Sequence, residues 1–230
     1  MGKRVVLVRH SDGPTDDRVM QWLERSSLTA DIRRPYQGDL LGEVTEDVAA
    51  TVIYGGMYNA YDTAIHPFLN EEYHWIDAAM QAGIPMLAIC QGAQMIAHHM
   101  GAWVGVPEHR SHEFGFYEVS PVEGAEWFLP KPLHVTQGHF HTFDLPDGAQ
   151  HLARSALFEN QAFRVGENVY GVQFHPEQHY EGFKRWQEFG DSYGEPGAQT
   201  REEQDRLGPS VDPVQHDWFM GFLDTFLGRV

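Results

Sequence analysis

Hydrophobic and polar positions follow two rhythms along this chain. RVVLV (4–8) is a short β-branched run, suited to a strand buried on both faces. Pro14 and the acids after it open a helical pattern, DDRVMQWLERS (16–26), with Val19, Met20, Trp22 and Leu23 toward one side. DIRRPY (31–36) reads as a second strand and ATVIYGG (50–56) as a third, ending in two glycines. LNEEYHWIDAAMQAG (69–83) has helical spacing, with Asn70 as N-cap and Gly83 as stop. IPMLAIC (84–90) is another buried strand, and QGAQMIAHHMGA (91–102) is helical until Gly101.

Strand and helix thus alternate through the first half, the signature of a mainly parallel sheet covered on both faces. After residue 103 the rhythm changes. FGFYEVSP (114–121), PLHVTQGHF (132–140), NQAFRVG (160–166) and VYGVQFHPE (169–177) read as strands joined by turns. Residues 190–214 read as a loop. A closing helix over 215–230 puts Trp218, Phe219, Phe222, Leu223 and Phe226 on one stripe, a packing surface rather than a cofactor box. No repeat or linker interrupts the chain, so one α/β domain over 1–230 is expected, its sheet mixed but mostly parallel and flanked by helices.

Composition narrows the possible functions. The formal charge is −17, from 33 acids against 16 bases, a field that repels phosphate backbones and anionic lipid. Neither a nucleic-acid nor a membrane partner is expected. The four apolar residues Val5–Val8 fall short of the roughly 7–15 of a secretory core. No run approaches the roughly 18–20 residues of a membrane span. A single cysteine makes no intramolecular disulfide, so a cytoplasmic location is expected.

That cysteine, Cys90, lies where a strand should turn into a helix, between the small residues Ala88 and Gly92. Such an elbow exposes a nucleophile to the helix N-terminus, which favours the thiolate. A buried, inert thiol fits the same local pattern equally well. His175-Pro176-Glu177 adds weight to the nucleophile. Side chains two apart on an extended segment share a face, so Glu177 can orient His175 toward a thiol. Gly55-Gly56 can present bare N–H groups, and those of Gly56 and Gln91 together would make an oxyanion hole.

The ordered set GGMYNAYD (55–62), AICQGAQ (88–94) and FHPE (174–177) resembles the class I glutamine amidotransferases, the Cys-His-Glu group. PFLNEEYHWIDAAMQAGIPMLAIC, HEFGFYEV and HTFDLPDGAQHLARS…NQAFRVGENVYGVQFHPE extend the likeness over about residues 45–178. They resemble free-standing members similar to the glutaminase half of GMP synthetase. The resemblance implies a flavodoxin-like fold with a nucleophile elbow, and no cofactor or metal. It implies Cys90 as nucleophile on the γ-amide of glutamine, His175 as acid and base, and Glu177 as its orienter. Gly56 and Gln91 would supply the oxyanion N–H groups. Gly55, Gln94, His139 and Phe140 would line the site for the rest of the substrate.

Three positions depart from the family pattern. Ala88 replaces the first glycine of G-x-C-x-G, Met57 replaces a proline, and Gly138-His139-Phe140-His141 replaces Trp-His-Gly-Asp. Phe140 in a glycine's place should reshape the pocket. It keeps a second substrate class open: γ-glutamyl amines, peptides or glutathione-like conjugates. A non-catalytic regulatory subunit is a third reading, opposed by the intact Cys90, His175 and Glu177. The pair His139 and His141 also matches H-x-H metal spacing, but no third ligand stands at a clear interval, so a structural or substrate-edge role is expected. No G-x-x-x-x-G-K-[ST] loop is present, so a step that consumes ammonia is expected on a separate synthetase chain.

Overall fold

Residues 2–190 and 192–230 are described by a computed structural model. The first strands and helices run β1 (Arg4–Val8), α1 (Arg18–Glu24), β2 (Thr29–Arg33), β3 (Val48–Ile53), α2 (Phe68–Ala82), β4 (Met86–Ile89) and α3 (Gln91–His99). Seven strands follow: β5 (Val104–Gly105), β6 (Glu113–Pro121), β7 (Leu133–His139), β8 (Thr142–Phe143), β9 (Gln150–Ser155), β10 (Ala162–Val165) and β11 (Val169–Val172). The last helices are α4 (Tyr180–Gln187) and α5 (Arg201–Phe226).

Nine strands form one sheet in the order β2-β1-β3-β4-β11-β10-β9-β6-β7. β2, β1, β3, β4 and β11 are mutually parallel, and the pairings beyond β11 are antiparallel. The β1 run is apolar at every position after Arg4 because both faces are covered. Val5 and Leu7 pack with Val19, Trp22 and Leu23 of α1 and with Phe219 and Leu223 of α5. Val6 and Val8 point the other way, into the layer of Leu69, Trp75 and Ile76 from α2 and Met95 and Ile96 from α3.

The carboxyl ends of adjacent parallel strands converge. Ile53 pairs with Ala88 and Ile89 with Val172, so β3, β4 and β11 release their next residues side by side. Those residues are Tyr54-Gly55-Gly56, Cys90 and Gln173–Glu177. This end of a parallel sheet is where α/β proteins place ligands.

Four expectations are corrected. Asn70 does not cap α2. Pro67 precedes the helix, and Asn70 lies in its first turn with Nδ2 donating to Pro67 O at 3.2 Å. Proline's fixed φ already suits a helix start, so the turn begins earlier than the asparagine suggests. The second strand ends at Arg33, because Pro35 starts a 3-10 turn. The stretch 190–214 is not all loop, and the last helix begins well before residue 215. α5 starts at Arg201 behind a Thr200–Glu203 capping box and runs through Pro209 and Pro213. Both prolines lie on its exposed side, so water can satisfy the carbonyls that lose a donor. β9 and α4 carried no clear periodic signal and went unread.

Packing at the elbow gives a test. A Cβ on Gly92 would lie 2.3 Å from the Ile53 carbonyl oxygen, which is backbone and has no room to retreat. Gly92→Ala is therefore expected to cost about 2–3 kcal/mol, or roughly 4–12 °C of melting temperature. Gly221→Ala, at an open position in α5, should be neutral or slightly stabilising. Thermal melts by circular dichroism check the pair, and equal melting temperatures for both variants would refute the packing argument.

Candidate active site

Cys90 has φ 51° and ψ −108°, a conformation that non-glycine residues rarely hold. Its N–H donates to Val172 O at 2.7 Å, and its C=O accepts the first helical bond, from Gln94 N–H at 3.0 Å. The thiol is thereby lifted off the end of β4 at the start of α3. Cys90 is buried, and Gln173 Nε2 donates to its Sγ at 3.5 Å.

His175 stands beside it. A Cβ on Gly55 would lie 2.6 Å from His175 Cε1 and 3.2 Å from Cys90 Cβ, so both side chains press on the same glycine. His175 Nδ1–H donates to Glu177 Oε1 at 2.8 Å, which leaves Nε2 for other partners. Burial works against charging this imidazole, but the negative charges of Glu177 and Cys90 and the hydrogen bonds to both outweigh it. They push the His175 pKa up from 6.5 to about 10.

The turn that carries His175 and Glu177 is held by side chains the sequence did not single out. Arg18, fully buried at the start of α1, donates Nη1 to Pro176 O at 2.9 Å, and its N–H donates to Glu177 O at 2.9 Å. Asp212 of α5 accepts from Arg18 Nη2 at 2.7 Å. Gln215, also buried in α5, accepts from Thr136 N–H at 2.6 Å and donates to Gln178 O at 3.0 Å. No motif announces Arg18 or Gln215. Their one signal is a charged or polar residue at a core-facing helical position.

At the loop after β3, the main-chain N–H groups of Gly56 and, across from it, Gln91 donate to no group among the described residues. A Cβ on Gly56 would lie 2.5 Å from His10 Cβ and 2.6 Å from Gln91 Oε1, so this position admits only glycine. Gln94 is buried, with Nε2 donating to Gln173 Oε1 at 3.1 Å. Gln173 therefore links Gln94 to the sulfur.

The downstream histidines separate in role. His139 is buried with both ring nitrogens engaged, one on Glu113 Oε2 at 3.0 Å and the other on His141 O at 2.9 Å. Glu113 also accepts from Ser155 Oγ and Gln161 Nε2, each at 2.6 Å. His139 thus belongs to a buried polar network and offers no free nitrogen for a ligand in this arrangement. His141 packs near Tyr61, ring centroids 6.0 Å apart. Phe140 is 44% exposed, stacked on His112 at 5.0 Å and edge-on to His141 at 4.6 Å.

The chain belongs to the class-I glutamine amidotransferases, whose family model matches residues 21–185. A glutamine-hydrolyzing GMP synthase of Anaplasma marginale is 30% identical over 193 residues, covering 80% of this chain and 32% of that protein. The chain therefore spans about a third of the length of that relative. The glutamine amidotransferase-like protein YfeJ of Salmonella typhimurium is 30% identical over 186 residues, covering 76% of this chain and 75% of its own. Among solved structures, a glutamine amidotransferase of Thermotoga maritima superposes with a TM-score of 0.87 at 28% identity over 99% of both chains. No helix among the described residues is long and apolar enough to cross a membrane.

His175 holds its proton well above the usual imidazole range. The folded value lies above the ordinary 6.5, so this proton's contribution to stability is complete below 6.5 and is lost as pH rises through about 10. His175 should keep the imidazolium signature in an NMR titration to beyond pH 9. Cys90→Ala, which removes one of the two partners that raise it, should lower the midpoint. An ordinary midpoint in the wild type, or one that ignores Cys90, would contradict the coupling.

Proposed function

We propose that this chain is a glutaminase of amidotransferase type, with Cys90 as nucleophile, His175 as general acid and base, and Glu177 as the orienter of His175. The observation that carries the reading is the strained Cys90 elbow beside a buried His175–Glu177 pair, at the common end of three parallel strands.

In this mechanism the Cys90 thiolate attacks the γ-carbonyl carbon of glutamine, and the C=O electron pair moves onto oxygen. The N–H groups of Gly56 and Gln91 stabilise that oxyanion. Collapse of the tetrahedral intermediate breaks the C–N bond, and His175 gives its proton to the departing nitrogen, which leaves as ammonia. His175, now neutral at Nε2, takes a proton from water as that water attacks the γ-glutamyl thioester. Glutamate leaves and the thiolate–imidazolium pair is restored. Glu177 holds Nδ1 throughout, so the proton moves only at Nε2. Gln94 and the main chain around Gly55 line the α-amino and α-carboxylate end of the substrate. Ammonia is released or passed to a separate synthetase chain, a reading that draws on the GMP synthase relatives.

One observation favours a second reading with the same thioester chemistry. Phe140, in the place of the family's glycine, puts an exposed ring stacked on His112 beside His141. Such a rim suits a larger leaving group, as in a γ-glutamyl amine or peptide.

Glutamate release from glutamine and from a panel of γ-glutamyl amines and peptides separates the readings, with Cys90→Ala as control. The glutaminase reading expects release from glutamine and a loss of at least 10³-fold in the control. A strong preference for a γ-glutamyl peptide or amine would replace it with the second reading. Release that survives in Cys90→Ala would remove the nucleophile, and no release from any compound would favour a regulatory subunit.

A further inference from the structure

We infer that His10, braced by Glu72, is a positioning residue that aims the Gly56 N–H at the developing oxyanion; the inference rests on the glutaminase reading above. β1 pairs with β3 so that Val8 lies opposite Ile53, and the two strands deliver His10 and Tyr54–Gly56 to the same place. The His10 side chain is fully buried. Its Nδ1 lies 3.1 Å from Tyr54 O, and its Nε2 lies 2.9 Å from Glu72 Oε2 of α2, itself 1% exposed.

The hydrogen-bond roles follow from the partners. A carbonyl oxygen only accepts, so His10 Nδ1 carries a proton and donates to Tyr54 O. Nε2 is hydrogen-bonded to the Glu72 carboxyl, and this bond fixes the plane of the ring. The base of the same side chain, Cβ and the first ring carbon Cγ, lies against the loop. His10 Cβ and Cγ lie 2.5 and 3.0 Å from where a Gly56 Cβ would be, so the Gly56 backbone rests directly on this side chain.

The far end of the loop is pinned by a second side chain. Gln91 Oε1 accepts from Tyr58 N–H at 2.9 Å and also lies against Gly56, 2.6 Å from the same point. Tyr54–Tyr58 is therefore fixed at its first carbonyl by His10 and at its last N–H by Gln91. Between them, Met57 is 91% exposed and anchors nothing. A proline at 57 would restrict the loop by its own φ; with methionine there, the direction of the Gly56 N–H falls to His10 and Gln91. Removing one oxyanion donor costs about 10²–10³ in kcat, so a donor turned out of line forfeits part of that effect.

The test compares wild type with His10→Ala, His10→Asn and Glu72→Gln, using two alkylating probes of Cys90. The chloromethyl ketone analogue of glutamine carries a carbonyl that the oxyanion donors polarise, whereas iodoacetamide reports the thiolate without them. For His10→Ala we expect kcat for glutamate release to fall about 10–100-fold with KM within about threefold, a fraction of the full loss of a donor. Alkylation by the chloromethyl ketone should slow by a similar factor and that by iodoacetamide should stay within about twofold, since the probes share the thiolate. His10→Asn, whose amide can still donate to Tyr54 O, should recover most of the loss, and Glu72→Gln should fall between. Unchanged kcat and ketone rates in the variants would overturn the proposal. So would equal slowing by both probes, which would place His10 on the thiol or on folding. Should His10→Ala fail to fold, His10→Asn and Glu72→Gln carry the same comparison. A wild type that neither releases glutamate nor reacts with the ketone would instead strike the glutaminase reading, and the proposal with it.

Discussion

Cys90 occupies a backbone conformation that costs on the order of 1–3 kcal/mol, and the molecule is built to hold it there. The strain persists because every neighbour is already committed. β11 takes the Cys90 N–H, α3 begins on its carbonyl, and Gly92 lies against the Ile53 backbone with no space for a methyl group. A relaxed Cys90 would have to break the β4–β11 register or push α3 away from β3. The sheet therefore fixes the direction of the sulfur, and the rest of the site is set by distance from it.

Among the described residues the protein buries three imidazole–carboxyl pairs: His175–Glu177, His10–Glu72 and His139–Glu113. Buried pairs of this kind are poor sources of stability, since desolvation offsets most of their attraction. Their use is geometric, because a ring with a committed nitrogen cannot rotate. His175 leaves Nε2 beside the thiol, whereas His139 has both nitrogens occupied and serves the frame. Three pairs of the same chemistry are thus distinguished by what each ring has left over. Gln215 and Arg18 extend this frame to the carbonyls of the His175–Gln178 turn, tying α1 and α5 to the site.

The parallel half of the sheet was legible because strands buried on both faces must be continuous apolar runs, as RVVLV and IPMLAIC are. The positions of Cys90, Gly55-Gly56 and His175-Pro176-Glu177 were legible because sharp turns and paired side chains need specific residues at specific spacings. α5 was misjudged for an opposite reason. Its buried stripe begins with Gln204, Gly208, Val211 and Gln215, so the half that touches the site carries little apolar periodicity, and two prolines disguise it further. His10 was invisible for a similar cause. Its importance lies in contacts to Tyr54 and Glu72, 44 and 62 residues away, and no local pattern records them.

If the elbow serves the proposed thioester chemistry, Cys90 becomes covalently acylated while glutamine is consumed. Acid quenching of the protein while it consumes glutamine, followed by peptide mass spectrometry, tests this most directly. The glutaminase proposal requires a γ-glutamyl group on the peptide containing Cys90 and on no other. Steady glutamate release with Cys90 unmodified at every quench time, or with the adduct on another residue, would contradict it.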